Sequence, residues 1–168
     1  MTQRTQLTRQ RLLLSLRFLL PSLTLLTLAP LGCSSGSNSL SGSESQVYDL
    51  SFNSVVIVLQ GSTVSIKYAG SNGDPAILAV DIANLTPVSG SSIPLTGPDP
   101  ATGQPRGVLH NVDSTGVTNQ LSMKVGSAVV FDQVPKIKST LSGQFNATLT
   151  DGYTLDGTFS ATVSAPSP

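Results

Sequence analysis

The chain has 168 residues, with nine cationic and nine acidic side chains, one histidine and one cysteine. The balance is uneven along the chain. Four of the nine cations precede residue 18 and no acid precedes Glu44, so the stretch from Cys33 onward keeps five cations against nine acids, a formal charge of −4. A mildly acidic chain with scattered lysines offers no electrostatic case for nucleic acid or for anionic lipid.

The first element is a leader. Arg4, Arg9, Arg11 and Arg17 stand before a 15-residue uncharged, Leu-rich run, Phe18 to Gly32, which ends at Cys33. A membrane-spanning helix needs about 20 apolar residues. Extending the run back to Leu12 would bury Arg17, at about 2.5–3.5 kcal/mol at a helix centre, and Pro21 interrupts it. A basic start, a short apolar stretch and small residues at the join make a secretory signal peptide, residues 1–32.

Leu31-Gly32-Cys33 at the end of that run resembles the bacterial lipoprotein signal. Gly32 is the small residue the family requires before its cysteine, while Pro30 departs from the usual aliphatic. The resemblance covers residues 1–33. It implies that Cys33 becomes the acylated first residue of a cell-envelope protein, held to the membrane through acyl chains. Ser34 in the next position implies sorting to the outer membrane. The alternative is ordinary cleavage near Ser35, which would give a secreted protein.

Residues 33–45 follow as an expected tether, because seven of the 12 residues from Ser34 to Ser45 are Ser and two are Gly. Such a stretch has little to bury and spans roughly 20 Å as a flexible chain. Residues 46–165 then form one domain. The mature chain has no Trp and is rich in Ser, Thr, Gly and Val, the composition of strands and turns.

In chain order, Tyr48, Leu50 and Phe52 alternate with polar residues, as in a half-buried strand. Val55 to Leu59 is a continuous apolar run, expected of a strand buried on both faces. Val64, Ile66 and Tyr68 alternate after the turn Gln60-Gly61-Ser62. Asp74 to Ile82 reads as a strand from its β-branched residues, although Asp-Pro also suits a helix start. Thr86 to Gly107 holds five prolines and four glycines. It reads as a long loop with a short edge strand near Ile93 to Leu95. Strands follow at Val108 to Val112, Val117 to Val125 and Ala128 to Phe131.

The last hairpin is the most sharply patterned element. A two-residue Asp151-Gly152 turn would put the apolar side chains of its two arms on opposite faces. A three-residue turn with Gly152 left-handed repairs this. It pairs Leu149 with Tyr153, Ala147 with Leu155, Phe145 with Gly157 and Gly143 with Phe159. Each Phe then covers a Gly across the ladder. The hairpin resembles one that ends many small secreted bacterial β-domains, which implies a structure but no activity. The whole predicts an all-β fold, a single antiparallel β-sandwich of about eight short strands, with a small β-barrel as the alternative.

Candidate chemistry is sparse. His110 is the only histidine and lacks an evident partner for base or metal work. The predicted domain has eight aspartates, none at a spacing that predicts a dyad. Gly70 to Asp74 has calcium-like ingredients but lacks alternating acidic ligands, so it reads as a hairpin loop. Catalytic, metal and cofactor residues are therefore expected to be absent. Cys33 is the one modification site. The expected function is a non-catalytic interaction or structural module, its partner an envelope protein or ligand. The alternatives are a carrier of a small apolar ligand or lipid, lined by Val55–Leu59 and Ala76–Val80, and a glycan-binding module.

Overall fold

The computed structural model describes residues 37–85, 89–99 and 102–167. Cys33 and the leader lie outside the described residues. The strands are β1 (Ser39–Ser41), β2 (Ser54–Gln60), β3 (Thr63–Gly70), β4 (Gly73–Asp81), β5 (Ser92–Pro94), β6 (Gly107–Val112), β7 (Thr118–Leu121), β8 (Ala128–Phe131), β9 (Thr140–Thr148) and β10 (Thr154–Ser164). A 3₁₀ turn spans Ser43–Gln46.

The fold is all-β. One curled sheet runs in the order β5-β8-β9-β10-β2-β3-β4-β6-β7, with β1 added on β10. Ten strands are present among the described residues, against about eight expected: β1 lies in Ser-rich sequence read as tether, β5 forms near the expected edge strand, and the strand expected at Tyr48 to Phe52 is absent. One pairing is parallel. The last strand meets the first long one as Val163 opposite Ile57 and Ser164 opposite Val58, while all other pairs are antiparallel. Backbone bonds also link the two ends of the strand path. Leu95 donates to Ser127 and accepts from Gly107, and Lys124 donates to Thr148 at 2.7 Å. This curling lets one face of every long strand share a single interior.

The interior follows the period-2 pattern. Ile57, Val64, Ile66, Tyr68, Leu78, Val80, Val129, Leu141 and Leu155 are all fully buried. Tyr68 reaches from β3 to β10, where its hydroxyl donates to the Thr158 carbonyl at 2.9 Å. Burial pushes the phenol's pKa up, so it stays a neutral donor. From the two apolar runs, Val55, Ile57, Ala76, Leu78 and Val80 are buried in this core, with Leu59 packed against them, while Val56 is exposed, so β2 is covered on one face and not on both as expected.

The C-terminal hairpin has the expected register throughout, including Phe145 opposite Gly157 and Phe159 opposite Gly143. Gly152 adopts φ +100° and closes the turn by donating to Leu149, while Leu149 donates to Tyr153 at 2.8 Å. By contrast, the strand expected over Val117 to Val125 is shorter. Only Thr118–Leu121 pairs regularly with β6, and Val117 and Val125 are exposed.

The tether expectation is corrected over residues 37–45. β1 pairs with β10, Ser39 opposite Thr158 and Ser41 opposite Asp156. Ser43 and Thr154 exchange hydrogen bonds, and Glu44 is only 2% exposed. The physical reason is that β10 presents a backbone edge there. Pairing to that edge supplies the order that side-chain hydrophobicity could not.

Candidate functional site

A polar cleft of about 400 Å³ opens where β2 begins. Three segments distant in sequence meet there. The approach to β2 supplies Tyr48, Asp49, Ser51 and Asn53; the β3–β4 hairpin supplies Ser71, Asn72 and Gly73; the end of β6 supplies Asn111, Asp113 and Ser114. Val47, Pro75 and Val112 complete the wall.

Each segment is fixed locally. Asn53 donates from its backbone to Ala69 at 2.7 Å, and its side-chain amide donates to Ser71 Oγ at 2.7 Å. Gly73 takes φ +107° against the β6 exit, where a side chain would come within 2.8 Å of the Asp113 carbonyl oxygen. Glycine is needed there for both conformation and space. Asn111 points inward by strand alternation beside Leu109. It is 2% exposed, and its Oδ1 accepts from the Asn119 amide at 3.2 Å.

The two acids of the cleft are held as acceptors. Asp113 Oδ1 takes the Thr115 hydroxyl at 2.7 Å, the Thr115 backbone N–H at 2.8 Å and the Val117 N–H at 3.0 Å. Asp49 Oδ1 takes the Ser51 N–H at 2.9 Å. These bonds, led by the Thr115 and Ser51 side chains respectively, hold both carboxyls below the usual aspartate pKa. Both are ionised near neutrality, and neither is poised to give up or take a proton there. Asp74 lies behind the hairpin and pairs with Lys67 at 3.4 Å.

His110 sits on the outer face of β6, between Ile77 and Gln120, and Asp113 lies past the strand end in the turn. The cleft does not include His110. Gly70 to Asp74 is the hairpin connection its sequence suggested, and it also forms one wall of the cleft. Among the described residues, no group of three or more His, Cys, Asp or Glu could hold a metal ion. Cys33 lies outside the described residues.

Elsewhere, Arg106 and Asp99 form a mostly buried pair at 2.9 Å. Arg106 also donates to the carbonyls of Ala83 at 3.0 Å and Asp81 at 3.3 Å, so it staples the long loop to the end of β4. Sequence reasoning missed the role of Glu44, whose Oε2 is buried without a hydrogen-bond partner among the described residues. Burial first, and Asp151 second, raise its pKa.

The chain matches no protein-family model, no curated protein and no solved structure. The functional reading therefore rests on the chemistry of the cleft and the leader.

Proposed function

We propose that this chain is a lipid-anchored, non-catalytic module of the cell envelope that binds a neutral, hydroxyl-rich ligand in its polar cleft. The cleft carries the reading. Its amides, hydroxyls and backbone groups are of the kinds that donate to and accept from ligand hydroxyls, and Tyr48 offers an aromatic surface for an apolar ring face. Two ionised aspartates already committed to turn hydrogen bonds favour binding over proton transfer and disfavour anionic ligands. Of the residues expected to line an apolar cavity, Val55, Ile57, Ala76, Leu78 and Val80 belong to the packed core and Val56 is exposed, so the cleft supports the ligand reading better than the interior does. Anchoring rests on Leu31-Gly32-Cys33 and the basic, Leu-rich leader before it.

The test is a screen of the purified full-length protein against neutral and uronic-acid oligosaccharides, with Asn53→Ala and Asn72→Ala as site variants. The reading expects binding of neutral glycans that weakens about fivefold or more in each variant, the loss of about one hydrogen bond. Binding of acidic sugars only, or binding that ignores both variants, would refute it.

A further inference from the structure

The chain between β8 and β9, Asp132 to Ser139, forms an exposed loop in which apolar and cationic residues alternate. It holds Val134 and Ile137, exposed by 55% and 42%, interleaved with the exposed Lys136 and Lys138. Those two lysines are two of the five cations after Cys33. Pro135 is buried and roots the loop. The Lys136 carbonyl accepts from the Ser139 N–H at 3.1 Å and from its hydroxyl at 2.6 Å. Lys138 is held at φ +67°, a conformation few non-glycine residues adopt. Its N–H donates to Val163 at 2.8 Å, and Val163 donates back to Ser139 at 2.9 Å. The loop is thus clamped to the end of strand β10 with its apolar and cationic side chains exposed.

The N-terminal segment leads to the same end of the domain. β1 runs antiparallel to β10, so moving back from Ser41 to Ser39 advances along β10 from Asp156 to Thr158. Asn38 Oδ1 then accepts from Ser160 N–H at 2.6 Å, and the Ser37 carbonyl accepts from the Thr158 hydroxyl at 2.8 Å. Ser37, the first described residue, thus lies beside Thr158, with Asn38 beside Ser160. Cys33 stands four positions before Ser37, a reach of at most about 14 Å of chain.

Among the described residues, the Val163 end is balanced in charge, three acids against Arg106, Lys136 and Lys138, but its acids already have partners. Asp49 and Asp113 line the cleft, Asp74 lies behind its hairpin wall, and Glu44 and Asp151 lie near the start of β10; all are at the opposite end. At the Val163 end, Asp99 is paired with Arg106, the Asp81 carboxylate accepts from Ala83 N–H at 2.8 Å, and Asp132 takes the Ser142 hydroxyl at 2.7 Å. Lys136 and Lys138 project beyond them.

We propose that the loop Gln133 to Lys138 is a membrane-seating surface: Val134 and Ile137 enter the headgroup region of a bilayer carrying anionic lipid while Lys136 and Lys138 pair with its headgroups. This rests on acylation of Cys33, which tethers the domain close to the surface, and seating through this loop turns the polar cleft away from the membrane. Two apolar side chains and two lysines are too little to recruit a protein from solution. They suffice to orient one already tethered, because each lysine near an anionic surface favours the seated state by about fivefold and tethering removes the cost of association.

The chain has no tryptophan, so one introduced residue reports alone. Full-length acylated protein carrying Val134→Trp, or Val117→Trp beside the cleft as the control, is reconstituted in vesicles containing phosphatidylglycerol and brominated lipid. Intact mass establishes acylation in the same samples. The proposal expects blue-shifted emission and bromolipid quenching for Val134→Trp and neither for Val117→Trp. Lys136→Gln and Lys138→Gln should each lower the seating equilibrium by about fivefold. Acylated protein in which Val134→Trp is unquenched, or in which both reporters are quenched alike, overturns the seating surface and leaves the anchor standing. Protein without acyl mass overturns both.

Discussion

Two glycines lie under aromatic rings in the C-terminal hairpin, and substituting them tests the packing directly. An alanine methyl at Gly157 would meet the Phe145 ring and stand 2.6 Å from the Tyr68 hydroxyl. One at Gly143 would stand 2.7 Å from Phe159 Cζ and also collide with the Val130 carbonyl. An exposed strand glycine changed to alanine gains about 0.5–1 kcal/mol. Overpacking a tight core costs about 1–3 kcal/mol, so steric cost decides the sign here. Gly157→Ala should destabilise by about 1–2 kcal/mol, because only side chains must move. Gly143→Ala should lie nearer 2–3 kcal/mol, because a backbone carbonyl in the neighbouring strand must move too. For a domain of this size each kcal/mol lowers Tm by about 4 °C. Urea unfolding followed by circular dichroism measures both, with the slope expected to stay constant. Phe145→Leu in the Gly157→Ala background should recover about 1 kcal/mol relative to additivity. Phe159→Leu should rescue Gly143→Ala less, since the carbonyl remains. A Gly157→Ala protein as stable as the parent would refute the aromatic-over-glycine packing.

Other outcomes follow from single groups. Glu44 has its pKa raised above the usual 4.5, so the folded state holds its proton more tightly than the unfolded chain. The stability tied to the neutral form is full below about pH 4.5 and falls as pH rises through the folded pKa. Glu44→Gln should therefore raise Tm by about 4 °C at pH 7, on the order of 1 kcal/mol, and leave it unchanged at pH 3.5. Asp113 behaves in the opposite sense. Its lowered pKa gives stability that is present above the usual 3.8 and lost as pH falls through the folded value. A carboxyl NMR titration should place its midpoint below that of a free aspartate, and Thr115→Ala should move it back up. Arg106→Ala removes the cation beside the buried Asp99 carboxylate and should cost about 3 kcal/mol in urea unfolding.

How much of this was legible depends on what holds each element. The hairpin of β9 and β10 could be read residue by residue because apolar alternation, the Asp151-Gly152 turn and the Phe–Gly pairs all demand one register. The segment from Asn38 to Glu44 could not. Its order comes from backbone pairing to β10 and from the Ser43–Thr154 bonds, which leave no trace in hydropathy. Composition therefore read it as tether and placed Glu44 outside the fold. The cleft was not read from the sequence, although signals for parts of it are there: alternation in β6 would put Asn111 on the buried face with Leu109, and Asp113-Ser-Thr-Gly116 suits an Asp-capped turn. That these meet residues 48–53 and the β3–β4 hairpin follows only from strand order, which a sequence pattern does not give. The same holds for the lysine loop. Lys136 and Lys138 are close in the sequence, but that their loop lies beside the Val163 end of β10, opposite the cleft, follows only from the topology.

Both proposals share one premise, the anchor, and one measurement addresses it: the intact mass of the full-length product purified from its host's membranes. The account predicts a chain that begins at Cys33 and carries acyl mass on that residue. A chain that starts elsewhere, or one that carries no acyl mass, would contradict it.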